Sequence, residues 1–185
     1  MDASFQIQYE QEANELASHL TTTLLDPPAS DPDRKPFERV DLREDNRCFL
    51  LYNLLSPKEC QYFMDACESI GLQDVSTNKN YRNHTRCVVM GPNISEWLWE
   101  RLKPVIEEIT LHVDDYKQIG LGHKLEGHWK PIGLNPCWRM ARYMPGGHFG
   151  PHFDGPYIKD INNRSLKTLN IYLNSDFEGG TTNLI

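Results

Sequence analysis

The chain has no long hydrophobic run and no excess of basic residues, and each absence excludes a class of protein. No apolar stretch approaches the roughly 20 residues that span a bilayer, so we expect no membrane segment. The formal net charge is −7. Phosphate backbones are bound by clustered lysine and arginine, so we expect no nucleic-acid partner for this acidic chain.

Paired cysteines and a secretory leader are also missing. The cysteines are odd in number, scattered and never in a CxxC pair: Cys48, Cys60, Cys67, Cys87 and Cys137. We therefore predict reduced thiols and no cysteine zinc site, as is typical of a chain in the cytosol or the nucleus. Residues 1–20 lack a basic start followed by an apolar core, so we expect no signal peptide.

The residues that are present indicate one globular domain with a short extension before it. Hydrophobic residues make up 39% of the 185 positions and charged residues 24%, which is sufficient for a packed core. Residues 26–36 are rich in proline and aspartate and read as a linker. We predict an N-terminal extension and linker over 1–39 and a compact domain over 40–185.

Hydrophobic periodicity and capping signals predict two helices followed by short strands. Ser56, Pro57 and Glu59 match a capping box that begins a helix, and Gly71 is expected to end it. We also expect a short helix within 10–25, a helix over 93–109 interrupted at Pro104, and extended segments at 47–56, 85–90, 136–144, 148–154 and 165–174. This order predicts an α+β fold in which a strand-rich barrel or sandwich is supported by N-terminal helices.

The segment ARYMPGGHFGPHFDGPY, residues 141–157, carries the main chemical signal. In an extended chain His152 and Asp154 point to one face and Phe153 points to the other. One imidazole and one carboxylate on the same face can bind a divalent metal, and two histidines with one carboxylate form the facial triad of non-haem Fe(II) oxygenases. His148 would lie about 13 Å from His152 in an extended chain, too far to share a metal.

The HxD pattern alone leaves other interpretations open. An aspartate that follows a histidine also caps turns, and a zinc hydrolase could use the same pair together with a third ligand. Four further histidines are expected to be surface or structural residues: His84, His112, His123 and His128. Residues 76–84, with Tyr81 and Arg82, and residues 120–135 are candidates for a substrate groove or for ordinary surface loops.

The wider pattern, RYMPGGHFGPHFDG followed by SLKTLNIYLNSDFEGGTT, resembles the 2-oxoglutarate/Fe(II) dioxygenase superfamily, in particular its prolyl 4-hydroxylase-like branch. The match is strongest over 136–182. The matching residues are Arg142, Tyr143, Pro145, Gly146, His152, Asp154, Thr168, Tyr172, Leu173, Asn174, Phe177, Gly179, Gly180 and Thr182. Their order and spacing are far more specific than HxD alone.

The resemblance implies a double-stranded β-helix, a jelly-roll-like core, with Fe(II) bound by His152 and Asp154. It implies that Tyr172 binds the far carboxylate of 2-oxoglutarate and that Tyr143 lines the pocket nearer the metal. The implied reaction hydroxylates a C–H bond and releases succinate and CO2, with ascorbate keeping the iron reduced. The family suggests a prolyl residue of a protein as substrate, but neither that nor a small molecule is specified by the sequence.

The same resemblance implies a second histidine and a lysine or arginine downstream of the Gly179–Gly180 turn. We expect these to lie beyond residue 185, so that the core motif 136–185 encodes about half of the barrel strands. We therefore expect little or no activity from this chain by itself. The alternative is a catalytically inactive variant that acts as a protein-interaction module.

Overall fold

The computed structural model describes residues 20–43, 48–74, 76, 78–112, 125–160 and 162–183. The helices are α1, Pro57–Ile70, and α2, Pro92–Leu102. The strands are β1 Leu20–Leu24, β2 Glu38–Asp41, β3 Phe49–Tyr52, β4 Gln73–Asp74, β5 Arg82–Asn83, β6 Thr85–Met90, β7 Ile109–Leu111, β8 Gly127–Trp129, β9 Cys137–Arg142, β10 His148–Phe149, β11 Ile158–Asp160 and β12 Asn163–Arg164. Within the described residues, neither helix is long and apolar enough to cross a bilayer.

Strand β6 is the centre of the main sheet. Strand β9 pairs with it antiparallel along its whole length, from Thr85 opposite Arg142 to Met90 opposite Cys137. Because a strand has two edges, β1 and β4 share the other one: β1 runs parallel beside Val88–Met90, and β4 antiparallel beside Thr85 and Arg86. The valines at the middle of β6 are fully buried, as expected for a central strand.

The described residues also form four two-stranded ribbons. They are β2 with β3, β5 with β10, β7 with β8, and β11 with β12, and all four are antiparallel. The β5–β10 ribbon matters most for function, because it places Phe149 opposite Arg82 and His148 opposite Asn83. Segments that lie far apart in the sequence thus meet beside the His152–Asp154 pair.

Helix α1 begins and ends where its sequence predicts. The Ser56 hydroxyl accepts a hydrogen bond from the Glu59 amide at 3.2 Å, and the Glu59 carboxylate accepts one from the Ser56 amide at 2.8 Å. This reciprocal pair is the expected capping box. The chain leaves the helix at Gly71, whose φ of 90° is accessible to glycine at little cost.

Helix α2 shows the interruption expected at Pro104. The helix ends at Leu102, and the chain re-forms regular structure only at Ile109, the first residue of β7. Proline removes a helical hydrogen bond and clashes with the preceding turn, so one long helix over 93–109 is not formed. The apolar face predicted for the first part is correct, because Ile94, Leu98 and Leu102 are buried.

The core consists of two clusters of buried side chains. One joins α1 to the sheet through Phe63, Cys67, Cys87, Val89, Ile94 and Met140. The other contains Leu54, Leu98 and Leu102. Ile171 and Leu173 of the C-terminal segment pack against these clusters, so that segment is attached to the core.

A buried ion pair connects the two helices. Arg101 donates two hydrogen bonds to the Glu59 carboxylate, at 2.7 and 2.9 Å, and a third to the Leu54 carbonyl at 3.1 Å. The guanidinium also lies over the Trp97 ring, 3.9 Å from its centroid. Because Glu59 is only 1% exposed, this bidentate geometry is what makes its burial tolerable.

Two expectations about elements are wrong, and a third, the buried strand within 47–56, is confirmed as a strand but not as a buried one. Leu20–Leu24 forms strand β1 and not the end of a helix, because its three β-branched threonines favour extended backbone beside the open edge of β6; the rest of the expected helix lies outside the described residues. The strand expected over 47–56 spans only Phe49–Tyr52 and is half exposed, since its only partner among the described strands is β2.

The second wrong expectation is the strand over 165–174, where no strand forms. The period-two pattern correctly places Ile171 and Leu173 inward and Tyr172 outward, but the segment has no strand partner among the described residues. An alternating hydrophobic pattern indicates which side chains are buried. It does not show that a neighbouring strand is present to form the backbone hydrogen bonds of a sheet. The described residues form small sheets and two helices, and the double-stranded β-helix stays a prediction.

Candidate metal centre

A tight turn after β9 positions the histidine segment. The Gly147 amide donates to the Met144 carbonyl at 2.7 Å, and Gly146 has a φ of 80°, a conformation that favours glycine. A Cβ at Gly147 would lie 2.8 Å from the Met144 oxygen and 2.9 Å from the Asn83 oxygen. The turn therefore needs two glycines for different reasons, one for its φ and one for close backbone packing.

His152 and Asp154 lie side by side, as the alternation predicts. The His152 Nε2 is 3.5 Å from the Asp154 Oδ1, and both side chains are partly open to solvent. Adjacent corners around a divalent ion with bonds of about 2.1 Å are about 3 Å apart, so the pair needs only a small inward movement to share an ion. Phe153, expected in the opposite layer, is instead 85% exposed.

Two contacts fix the orientation of the His152 ring. Its Nδ1 is 2.8 Å from the Gly150 carbonyl oxygen. Because a carbonyl only accepts, Nδ1 carries a proton, and in the neutral ring the lone pair then lies on Nε2, the atom that faces Asp154. The ring also stacks on Phe149 with centroids 3.7 Å apart and planes 18° apart. His152 is thus held in the tautomer and orientation that a metal ligand requires.

Phe149 is the centre of a cluster that joins β5 to the His152 segment. The Tyr81 ring meets it edge-on at 5.5 Å, and the Arg82 guanidinium lies 4.2 Å from its centroid. The Gly150 amide donates to the Tyr81 carbonyl, which keeps the two segments together. The sequence analysis did not predict a role for Phe149 at the site. The signal that could have indicated one is its position three residues before His152 in an aromatic-rich stretch.

His84 lies on the other side of this cluster and is buried. Its ring is 4.7 Å from the Tyr143 ring and 5.8 Å from the Phe149 ring. Burial, together with the charges of Arg82 and Arg86, lowers the pKa of His84 to about 4, so the imidazole is neutral at physiological pH. Of the two roles expected for His84, surface or structural, the structure therefore supports the structural one.

The two candidate cosubstrate tyrosines lie beyond this cluster. Burial raises the pKa of Tyr143, the nearby Arg82 opposes that shift, and Tyr172 adds to it. The Tyr172 hydroxyl is 2.5 Å from the Thr182 hydroxyl, which closes the loop that contains Gly179. In the described part of the chain, no hydrogen bond or ring contact joins either tyrosine to His152 or Asp154.

The structure thus brings together two of the four predicted site residues as a donor pair and places the tyrosines apart from it. The imidazole nitrogen and carboxylate oxygen suit Fe(II). His148 is not a third donor, because its ring nitrogens face the Gly146 and Asn80 carbonyls. Among the described residues, no three His, Cys, Asp or Glu side chains are grouped as a complete metal site.

Comparison with known proteins gives no information on the function of the chain. No family model, no curated protein and no solved structure matches the chain. The assignment of function therefore depends on the residues and their geometry.

Proposed function

We propose that the chain carries the iron-binding part of a 2-oxoglutarate-dependent dioxygenase that hydroxylates a C–H bond. The observation that supports this most directly is the His152–Asp154 pair, with Nε2 and Oδ1 3.5 Å apart and the His152 tautomer set by the Gly150 carbonyl. The other interpretation of the HxD pattern is an aspartate that caps a turn. That role does not require the His152 ring to be fixed by the Gly150 carbonyl at its edge and by Phe149 on its face.

His152 and Asp154 would each supply one ligand to Fe(II). When bound, Fe(II) with 2-oxoglutarate and O2 supplies the oxidation, which yields hydroxylated substrate, succinate and CO2. A third protein ligand is required for a facial triad. The resemblance places it after the Gly179–Gly180 turn, and we assign it to no described residue.

The chain's own residues would position the reactants. Phe149 stacks on His152 and limits rotation of the ring. Tyr172, at an exposed position, would donate its hydroxyl to a carboxylate of the cosubstrate in exchange for its bond to Thr182. Tyr143, half exposed beside His84, would form part of the pocket wall. Ascorbate would serve as the reductant that maintains Fe(II).

The test is succinate formation from 2-oxoglutarate after air is admitted to protein loaded anaerobically with Fe(II). We expect Fe(II) binding by the wild-type protein, with iron-dependent succinate where a third ligand completes the site. Both should be lost in His152→Ala and kept in His148→Ala, a histidine of the same segment that faces two carbonyls. Equal succinate with and without His152 would contradict the proposal. Absence of iron binding by the folded wild-type protein would favour the interaction module instead.

A further inference from the structure

Arg82 lies beside the candidate metal centre, and none of the described carboxylates forms an ion pair with it. Three other arginines of the described chain form ion pairs: Arg39 with Asp41, Arg101 with Glu59 and Arg142 with Glu68. Among the described residues, no carboxylate forms an ion pair with Arg82, and its buried Nε has no hydrogen-bond partner. What distinguishes Arg82 is its place: its guanidinium lies over the Phe149 ring, which also stacks on His152.

The buried imidazole of His84, close to Arg82, also has no hydrogen-bond acceptor among the described residues. The buried His84 Nδ1 has no hydrogen-bond partner in the described part of the chain, and His84 contacts Tyr143. The acid whose charge acts on His84, Asp74, already forms an ion pair with Lys79. A buried polar group left without a partner destabilises the fold, so an anion with several acceptor oxygens would be bound favourably at this position.

The position of Arg82 connects this cluster to the metal pair. The Phe149 ring contacts the Arg82 guanidinium at 4.2 Å and the His152 ring at 3.7 Å, so a single aromatic side chain bridges the two. Phe149 is also the partner of Arg82 in the β5–β10 ladder, which fixes the distance between them. One small acidic molecule could therefore reach both Arg82 and the donor pair.

We propose that Arg82, with His84 and Tyr143 beside it, binds a carboxylate of a ligand that occupies the candidate metal centre. The planar guanidinium fork matches a carboxylate through two parallel hydrogen bonds. The carboxylate belongs either to the cosubstrate or to the molecule being oxidised. The inference depends on the proposed function for this choice of ligand, whereas the carboxylate site itself does not require metal.

The first experiment measures glutarate binding to the metal-free protein by NMR titration. We expect Arg82→Gln to weaken glutarate binding roughly 10- to 100-fold, the range for loss of a charged hydrogen bond. Arg139→Gln, an exposed arginine of the neighbouring strand β9, is the control and should bind as the wild type does. The uncharged glutaramide should bind none of the three proteins measurably.

The guanidinium Nε–H signal of Arg82 in the wild-type protein provides a readout that does not depend on the folding of a variant. It should shift in proportion to occupancy by glutarate and stay unchanged with glutaramide. Glutarate that binds equally to the wild type and Arg82→Gln, or that leaves the Arg82 signal unmoved, would overturn the proposal. The glutarate titration uses metal-free protein. Its outcome therefore tests the carboxylate site even if the protein does not bind iron in the separate succinate test.

A second experiment identifies the source of the carboxylate. With Mn(II) bound, the wild type is titrated with 2-oxoglutarate and with 2-oxopentanoate, which has the same keto-acid head but no far carboxylate. If Arg82 binds the cosubstrate, the preference for 2-oxoglutarate should fall about 10-fold or more in Arg82→Gln. If that preference is unchanged while glutarate binding is lost, Arg82 binds the carboxylate of the molecule being oxidised.

Discussion

The orientation of His152 is set by neighbouring groups that are not themselves metal ligands. The Gly150 carbonyl sets its tautomer, and Phe149 sets its plane. Gly150 has no side chain because a Cβ there would lie 2.7 Å from the Tyr81 ring. These contacts support His152 before any ion is bound, which lowers the ordering cost of binding.

The turn before His152 gives a prediction about stability. Gly147→Ala should lower the free energy of unfolding by about 1–3 kcal/mol, because the new Cβ meets two backbone oxygens that cannot move independently. Gly133→Ala is the matched control: its Cβ meets nothing within 4 Å, so the change should be neutral or stabilising by up to about 1 kcal/mol. Urea unfolding of both variants measures the difference, and equal stabilities would refute the packing argument.

Tyr172 gives a prediction about ligand affinity. Tyr172→Phe should raise the 2-oxoglutarate concentration needed for half-saturation about 10-fold, since a hydrogen bond to a carboxylate is lost. Tyr157→Phe is the control, because Tyr157 is also exposed and its described hydrogen bonds are made by the backbone. Calorimetric titration of Mn(II)-loaded protein checks this, and an unchanged requirement in Tyr172→Phe would remove its anchoring role.

At the residue scale, sequence could indicate the donor pair and could not indicate what surrounds it. The two-residue spacing of His152 and Asp154 has a local cause, the alternation of an extended chain. The contacts of Phe149 with Arg82 and His84 have no local cause, because they depend on the pairing of β5 with β10. Only the fold, which brings these distant segments to one place, reveals them.

At the scale of elements, the sequence predicts helix boundaries correctly where they are determined by interactions within a few residues. The capping box, Gly71 and Pro104 each act through covalent or nearest-neighbour geometry, and all three behave as expected. The segment 165–174 fails as a strand because strand formation also needs a second backbone. Its alternation is nevertheless real, since Ile171 and Leu173 reach the core.

The Glu59–Arg101 pair gives a prediction at this scale. Burial by itself would raise the pKa of Glu59, but hydrogen bonds from Arg101 and the Ser56 amide outweigh it and hold the pKa below its usual range. The carboxylate therefore stabilises the fold above the unfolded-state pKa, and that stability is lost as pH falls through the folded-state pKa.

Glu59→Gln should consequently lower the free energy of unfolding near neutral pH by about 3–5 kcal/mol, because the largely buried Arg101 loses its counter-charge. It should also flatten the decline of stability between about pH 5 and the acid limit of folding. Glu68→Gln, which breaks the exposed pair with Arg142, should cost less than about 1 kcal/mol. Denaturant unfolding across pH distinguishes them, and similar losses in both variants would contradict the assigned role of burial.

At the scale of the whole molecule, the central sheet includes a strand from the region expected to be only an extension. Strand β1 pairs with β6 at Val88–Met90, and Leu25 behind it packs on the core. The predicted domain boundary near Val40 rested on composition, which detects a proline-rich linker but not long-range pairing. The boundary itself stays a prediction, as does the larger barrel.

Truncation tests the contribution of β1. Removal of residues 1–24 should lower the free energy of unfolding by about 2 kcal/mol, the order of two or three ladder hydrogen bonds, and should promote association through the uncovered edge of β6. Removal of residues 1–19 is the control, because it leaves β1 intact. Equal stability and equal monomer content in the two truncations would show that β1 contributes nothing.

The most direct measurement is Mn(II) binding, followed by electron paramagnetic resonance, to the wild type, His152→Ala and His148→Ala. We predict one ion per chain in the wild type and in His148→Ala. In His152→Ala, affinity should fall by more than the roughly 10- to 100-fold cost of losing an outer-shell partner. Unchanged affinity in His152→Ala would contradict the assignment of His152 and Asp154 as a metal centre, and with it the proposed oxygenase function.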